Sequence, residues 1–357
     1  MAYNPLSMLP DWPRAHGPVE ASARVRAAPE DFRVEEVLGF GADGDGPHVL
    51  LQVEKRGANT RWVADRLAQF AGVPPRDVGY AGLKDRDAVT VQHFTLPLGN
   101  KADPDWNALS LDGVRVLSAA RHRRKLKIGV LKGNRFRLVL RELSHPAESL
   151  APRLEVIARR GVPNYFGLQR FGRGANNIAK AEEMLAGRRR IHDRKLRGLL
   201  LSTARSVIFN ALLAERVRRD DWDKLLPGEV LMLDGSRSVF RSEASDEALP
   251  GRLASGDVHP TGPLWGRGEL ISQGDARVLE EQMAREHAAL AEGLIQAGVD
   301  AARRSLRLPL RELAWEQPDV HTLVLGFYLP AGAYATTVLR EMVNSEESGD
   351  DGDAQEN

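Results

Sequence analysis

One short stretch of this chain carries groups able to do chemistry at a turn: Gly79 to Gln92, GYAGLKDRDAVTVQ. Two glycines and a Lys-Asp-Arg-Asp cluster join a helical region to an apolar run, and such a turn can present a carboxylate. Lys84 and Arg86 flank Asp85 and would hold it ionised, the form that nucleophilic or general-base chemistry requires. The same cluster would also serve as a plain solvated turn, and spacing alone does not decide between the two.

A second feature is the run Arg121 to Arg141, RHRRKLKIGVLKGNRFRLVLR, with nine Lys or Arg in 21 residues and no acid. Clusters of this kind bind backbone phosphates with release of counterions. Arg121, Arg123, Arg124, Lys125, Lys127 and Lys132 are the candidate phosphate contacts. The run ends in a strand-like alternation that puts Asn134, Phe136, Leu138 and Leu140 on one face and Arg135, Arg137 and Arg141 on the other. A polar and an aromatic side chain on one face suit an unstacked base. A third feature, NYFGLQRFGRGANN (Asn164 to Asn177), mixes aromatics and glycines with Arg170 and Arg173. It reads equally as a packing corner that buries Tyr165, Phe166 and Phe171 or as a loop that wraps a nucleic acid strand. A second basic cluster lies at Arg188 to Arg197.

Other chemistries are absent from the sequence. There is no phosphate-binding GxxxxGK[ST], no GxGxxG opening a βαβ unit, no HExxH and no GxSxG. The chain has no Cys, which removes disulfides, Cys-ligated metal and a Cys nucleophile. Its nine His are scattered, so no metal is expected. The GADGDGP segment (Gly41 to Pro47) fails as a calcium loop, because His48 stands where an EF-hand needs glycine.

The elements that must hold these groups follow from periodicity. Alternation around Val34 and Val37 predicts a half-buried strand within residues 23–40, with Val49–Val53 as its return. A helix should start near Asn59 or Thr60 and end at Gly72 and Pro74. Strands follow at Val89–Leu98 and Gly133–Leu140. Beyond about Gly161 long helical patterns take over, at Ser202–Arg219 and Ala276–Gln296, before strand and turn chemistry returns over residues 322–342. At 357 residues, 42% hydrophobic and 28% charged, the chain is long enough for two globular domains. The order of strands, helices and strands again places one domain inside the other: residues 1–160 with 309–345, and an insert at 161–308. Net charge is +1, but residues 346–357 hold six acids and no base, which leaves the body at +7 and suits a polyanion. That tail is expected to be disordered. Residues 1–14 lack a secretory pattern and no apolar run approaches 18 residues, so a cytoplasmic protein with no membrane partner is expected.

Taken in order, PEDFRVEE (Pro29–Glu36), GYAGLKDRDAVTVQ, the basic run, GVPNYFGLQRFG (Gly161–Gly172), ARSVIFNALLAER (Ala204–Arg216) and FYLPAGAYATTVLRE (Phe327–Glu341) closely resemble the tRNA pseudouridine synthase D family across residues 24–342. The resemblance implies an α+β catalytic domain of pseudouridine-synthase fold, with a mixed and mostly antiparallel sheet, and an inserted family-specific α/β domain, the TRUD domain. It implies Asp85 as nucleophile and a uridine pocket formed by Phe32, Asn134, Phe136 and Tyr334, with Lys84 and Arg26 at the site. Some members have Phe in place of Tyr334 and Lys in place of Arg26. The substrate implied is the uridine at position 13 in the D arm of tRNA, and no protein partner is implied.

That reaction breaks the bond from ribose to nitrogen 1, turns the uracil and joins carbon 5 to the same ribose carbon, so it needs no cofactor. Asp85 would act either by attacking the ribose carbon or by removing the neighbouring proton to give a glycal. Since uracil leaves as a stabilised anion, one carboxylate suffices where an ordinary glycosidase uses two. An RNA glycosylase and a non-catalytic RNA chaperone are the competing readings.

Overall fold

A computed structural model describes residues 11–243 and 246–347, the side chains of Arg173, Glu346 and Glu347 excepted. The chain forms strands and helices in the order β1 (Ser22–Val25), β2 (Phe32–Val37), β3 (His48–Arg56), α1 (Thr60–Ala71), β4 (Gly79–Tyr80), β5 (Val89–Pro97), β6 (Val114–His122) and β7 (Gly133–Arg141). There follow α2 (Ala151–Arg160), β8 (Val162–Pro163), α3 (Asn176–Leu185), α4 (Arg194–Arg218), β9 (Val230–Leu233), β10 (Val239–Arg241), α5 (Leu249–Ala254) and β11 (Val258–Leu264). The chain closes with α6 (Gly274–Glu286), α7 (Ala288–Gln296), β12 (Ala302–Ser305), β13 (Arg307–Leu308), β14 (Arg311–Asp319), β15 (Thr322–Pro330), α8 (Ala335–Leu339) and β16 (Asn344–Glu347).

These elements divide into two compact units. The sheet unit takes Val19–Leu154, Leu310–Gly332 and the residues from Met342 onward. The helical unit takes the residues up to Pro18, Glu155–Pro309 and Ala333–Glu341. The sequence boundaries put residues 11–18 and 333–341 with the sheet; here both segments pack with the helices. In the helical unit the Glu341 carboxylate accepts the backbone N–H of Ala15 at 3.0 Å, which ties the two segments together.

The main sheet runs β14-β15-β7-β2-β5-β3-β6, with β4 beside β5 and β1 linking β7 to β16. Only β2–β5 and β1–β16 are parallel among these pairs. The fold is therefore α+β with a mixed, mostly antiparallel sheet, as expected. On one face α1 packs Val63 and Leu67 against Val49, Leu51, Val53, Phe94 and Leu96. This helix ends where Gly72 turns into the left-handed region at φ 63°, a conformation a side chain with Cβ resists. The first two residues of the acidic tail are not loose: Glu346 and Glu347 extend β16 alongside Arg24 and Val25. Residues 348–357 lie outside the described residues.

In the helical unit α4 supplies Ala204, Ile208, Phe209 and Leu213 to a core shared with Tyr165, Phe171 and Leu294. This 25-residue helix is long and apolar enough to cross a bilayer, but its apolar side is the core of the unit. The expected helix over 276–296 breaks at His287, whose backbone leaves the helical region at φ −115°. The break lets α6 set Leu279 and Met283 against Leu212 while α7 turns Leu290 and Leu294 into the main core. A four-stranded sheet, β10-β9-β11-β12, completes the unit.

Near the end of α4, buried Arg216 donates to the Glu229 carboxylate at 2.8 Å and to Asp221 at 2.6 Å. Burial pushes the Glu229 carboxyl up and Arg216 opposes that shift. Removing one member of a buried pair leaves the other charge uncompensated. Arg216→Met should therefore cost about 3–5 kcal/mol in urea unfolding. Adding Glu229→Leu should return part of that loss.

Candidate active site

Asp85 sits in the loop between β4 and β5, with its side chain 51% exposed. The loop lacks regular structure, so its backbone polar groups need other partners. Buried side chains from three elements supply them. The Lys55 ammonium, at the end of β3, donates to the backbone carbonyls of Asp85 at 2.8 Å and Ala58 at 2.7 Å. The Thr60 hydroxyl, in the first turn of α1, accepts the Lys84 backbone N–H at 3.0 Å and donates to the Gln92 carbonyl at 3.0 Å. The Gln92 amide in turn donates to the Gly82 carbonyl at 2.5 Å.

The sequence reading gave Lys84 the task of holding Asp85 ionised, and the structure divides the work differently. Lys84 turns inward and pairs with the fully buried Glu36 carboxylate at 2.8 Å. Glu36 also accepts the His93 backbone N–H at 3.2 Å. Burial pushes the Glu36 carboxyl up, but the His93 hydrogen bonds and the Lys84 charge outweigh it and leave the group below its ordinary value. Arg26 is the cation on Asp85, with Nη2 3.0 Å from Oδ2. Arg26 has φ 59°, a left-handed backbone rarely kept by a non-glycine residue without a local reason. Arg86 is exposed.

The guanidinium of Arg26 also lies over the Phe32 ring, 4.0 Å from its centroid, so one side chain links the carboxylate to the aromatic group. Phe32 meets Phe136 edge to face at 6.2 Å, and Phe136 stacks on Phe327 at 5.4 Å. The register explains the row: Val34 lies opposite Phe136 and Glu36 opposite Asn134, so Phe32, Glu36, Asn134 and Phe136 share one sheet face. Asn134 carries a buried side-chain oxygen with no hydrogen bond among the described residues. Buried Asp31 fixes the start of β2 by accepting two bonds from Arg141, at 2.9 and 2.7 Å.

The structure thus brings Arg26, Phe32, Lys84, Asp85, Asn134 and Phe136 together in the sheet unit. Tyr334 belongs to the helical unit, at the start of α8, where its hydroxyl accepts from Arg170 at 2.7 Å. Arg170 also donates to Ser202 at 3.2 Å. The aromatic loop is a packing corner in its rings, since Tyr165, Phe166 and Phe171 are all buried. Arg173's side chain lies outside what is described.

The basic run is not uniformly free. Arg121 donates to the carbonyls of Gly99 and Lys101 and pairs with Asp103 at 2.9 Å. Arg123 pairs with Asp45 at 2.8 Å, and Lys125 donates to the Arg76 carbonyl at 2.9 Å. Arg124, Lys127 and Lys132 are exposed, with no ion pair among the described residues. Lys55, Glu36, Thr60 and Gln92 escaped the sequence reading; the cue was that each is a polar residue within an otherwise apolar or buried element.

Comparison with known proteins bears on the chain as a whole. The sequence matches the family described as tRNA pseudouridine synthase D (TruD) over residues 19–189 and 175–342. It is 47% identical over 339 residues to tRNA pseudouridine synthase D of Methylococcus capsulatus, covering 95% of this chain and 96% of that one. It is 49% identical over 333 residues to that of Nitrosococcus oceani, with 93% of each chain covered. The crystal structure described as a putative tRNA pseudouridine synthase D from Methanosarcina mazei shares the fold, with a TM-score of 0.72 at 21% identity over 92% of this chain and 95% of that one. With matches that run almost end to end, this chain belongs to the tRNA pseudouridine synthase D family.

Proposed function

We propose that this protein converts uridine 13 in the D arm of tRNA to pseudouridine, with Asp85 as the nucleophile and no cofactor. The observation that carries the reading is a half-exposed carboxylate, held on a pinned loop, with its cation Arg26 resting on an aromatic row. On this reading the sheet unit is the catalytic domain and the helical unit the inserted TRUD domain. Phe32 and Phe136 line the pocket for the target base, and the Asn134 amide bonds its polar edge. Arg124, Lys127 and Lys132 take the phosphates around it, supported by the other cations of the basic run.

The chemistry asks for an ionised carboxylate next to the ribose, a place for the departing uracil anion and protection from water while the base turns. Arg26 sets a positive charge 3.0 Å from the Asp85 carboxylate. An aromatic wall holds a flat base by its faces, which resists escape but permits rotation. Whether Asp85 adds to the ribose carbon or takes the neighbouring proton, its position relative to the sugar must hold through the turn of the base. Fixing the loop backbone provides that constancy.

Wild type incubated with unmodified tRNA should yield pseudouridine at position 13 in nucleoside mass analysis with site mapping. Asp85→Asn should yield none while binding the tRNA with affinity within about threefold of wild type. Free uracil in place of pseudouridine would mean a glycosylase, and binding without either product would mean a chaperone. Asn134→Ala removes one hydrogen bond to the base and should lower kcat/KM by about 10- to 100-fold.

Lys55 adds a pH signature. Burial pulls its pKa down to about 8, against partial compensation by the charge of Asp85, while the unfolded chain keeps the ordinary 10.5. Between those values the unfolded chain holds a proton that the folded one has released, so stability rises with pH across that window. Relative to Lys55→Met, wild type should gain about 1 kcal/mol per pH unit between roughly pH 8.5 and 10 in urea unfolding. A flat difference would show that Lys55 titrates normally.

A further inference from the structure

The loop that carries Asp85 is fastened to a second loop, whose cations take phosphates in the proposed function and whose aliphatic residues have no role in it. Residues 124–132, between β6 and β7, are held at both ends and in the middle. The Leu126 N–H donates to the Thr95 hydroxyl at 2.9 Å, Gly129 to the Ala81 carbonyl at 2.7 Å and Lys132 to the Val37 carbonyl at 2.8 Å. Its centre is a tight turn in which the Val130 N–H donates to the Lys127 carbonyl at 3.2 Å, with Gly129 at φ 88° in the third position. A turn of that form needs a residue with no Cβ there and throws the residue before it to the apex. The apex residue is Ile128.

Leu126 and Leu131 point into a small core with Leu38, Leu50 and Ala81. Ile128, by contrast, is 78% exposed, and Val130 beside it is exposed too. Leu83, on the catalytic loop that Gly129 is bonded to, is 58% exposed. A single exposed aliphatic residue is ordinary. Here three stand on two loops joined by the Gly129–Ala81 bond, one of which also carries Asp85. The charged groups around them are Arg124, Lys127 and Lys132, exposed and without ion pairs among the described residues, so the surface suits an apolar insertion within a polyanion.

We infer that Ile128 and Leu83 form a rigid aliphatic wedge that enters the stack of a folded RNA at the place the target uridine leaves. This rests on the RNA-modifying reading of the site. Unstacking a base costs a few kcal/mol, and proteins that distort helices offset this by inserting Leu, Ile or Phe between neighbouring bases. Flanking cations would hold the phosphates on either side while the wedge keeps the gap filled. The wedge belongs to the step before chemistry, and it is needed only where the uridine starts out stacked.

The test compares wild type with the double variant Ile128→Ser, Leu83→Ser on two substrates: folded tRNA and a short single strand carrying the same uridine and neighbours. Single-turnover conversion of the folded tRNA should fall at least about tenfold, with the single strand converted within about twofold of wild type. Ile128→Leu should behave as wild type. In parallel, a fluorescent purine analogue placed next to the target uridine should brighten on binding Asp85→Asn, and brighten less when the wedge substitutions are added to it. Equal conversion of folded tRNA by wild type and double variant, or proportional loss on both substrates, would overturn the wedge. If wild type ignores the single strand, the fluorescence alone decides, and equal brightening overturns the proposal. If wild type makes no pseudouridine on either substrate, the proposed function has failed instead, while the fluorescence still reports whether the wedge opens RNA.

Discussion

The site depends on how an irregular loop is made rigid in a place where its polar backbone is partly buried. Such a loop must find partners for its carbonyls or remain mobile and wet. Here the partner for the Asp85 carbonyl is the ammonium of Lys55, a residue with no exposed surface. Burying a lysine is costly, and the depressed pKa of the group records that cost. What it secures is the carbonyl of Asp85 itself, so the backbone behind the carboxylate is fixed while the side chain stays open to solvent. The Lys84–Glu36 pair does the same on the other side of Asp85, joining the loop to the sheet face that carries Phe32, Asn134 and Phe136.

Sheet topology explains why those residues can meet. β7 lies between β2 and β15, so its one face gathers Phe32 from the first, Phe327 from the second and its own Phe136 and Asn134. Residues more than 190 positions apart in sequence become neighbours by simple strand pairing, with no long loop required. The insertion of a whole helical unit between β7 and β14 leaves this pairing intact, because β14 and β15 return as an antiparallel hairpin beside β7. The parallel β1–β16 pair then joins the first and last strands of the sheet unit.

The sequence exposed the strands and α1 through their periodicity, since each buries one face. Spacing alone leaves Asp85 open between a reactive carboxylate and a solvated turn, and it is the family resemblance that singles out Asp85, Phe32, Asn134 and Phe136. The sequence could not show that Lys84 faces inward: Lys84 and Arg86 look alike in a charged turn, and only the buried Glu36 opposite decides which one is taken up. The break at His287 was hidden for a related reason. The apolar pattern continues through it, and the need to face two different partners appears only when α4 is in place. Domain boundaries drawn from the order of elements missed residues 11–18 and 333–341, whose attachment rests on contacts such as Glu341 with Ala15 that span most of the chain.

The basic run shows how composition overstates a binding surface. Of its cations, Arg121 stitches loops through Gly99, Lys101 and Asp103, Arg123 is matched by Asp45, and Arg135 is matched by Glu312. The acidic segment GADGDGP, rejected as a calcium loop, turns out to be the partner of the start of the run, since Asp43 meets His122 and Asp45 meets Arg123. A guanidinium already engaged with a carboxylate must give up that contact to bind phosphate, which weakens its net gain. Among the described residues, the exposed cations of the run left without an ion pair include Arg124, Lys127 and Lys132, which lie together on one loop. Those three lie on the loop that Gly129 bonds to the Asp85 loop, so this unpaired positive surface is mechanically continuous with the loop that carries Asp85.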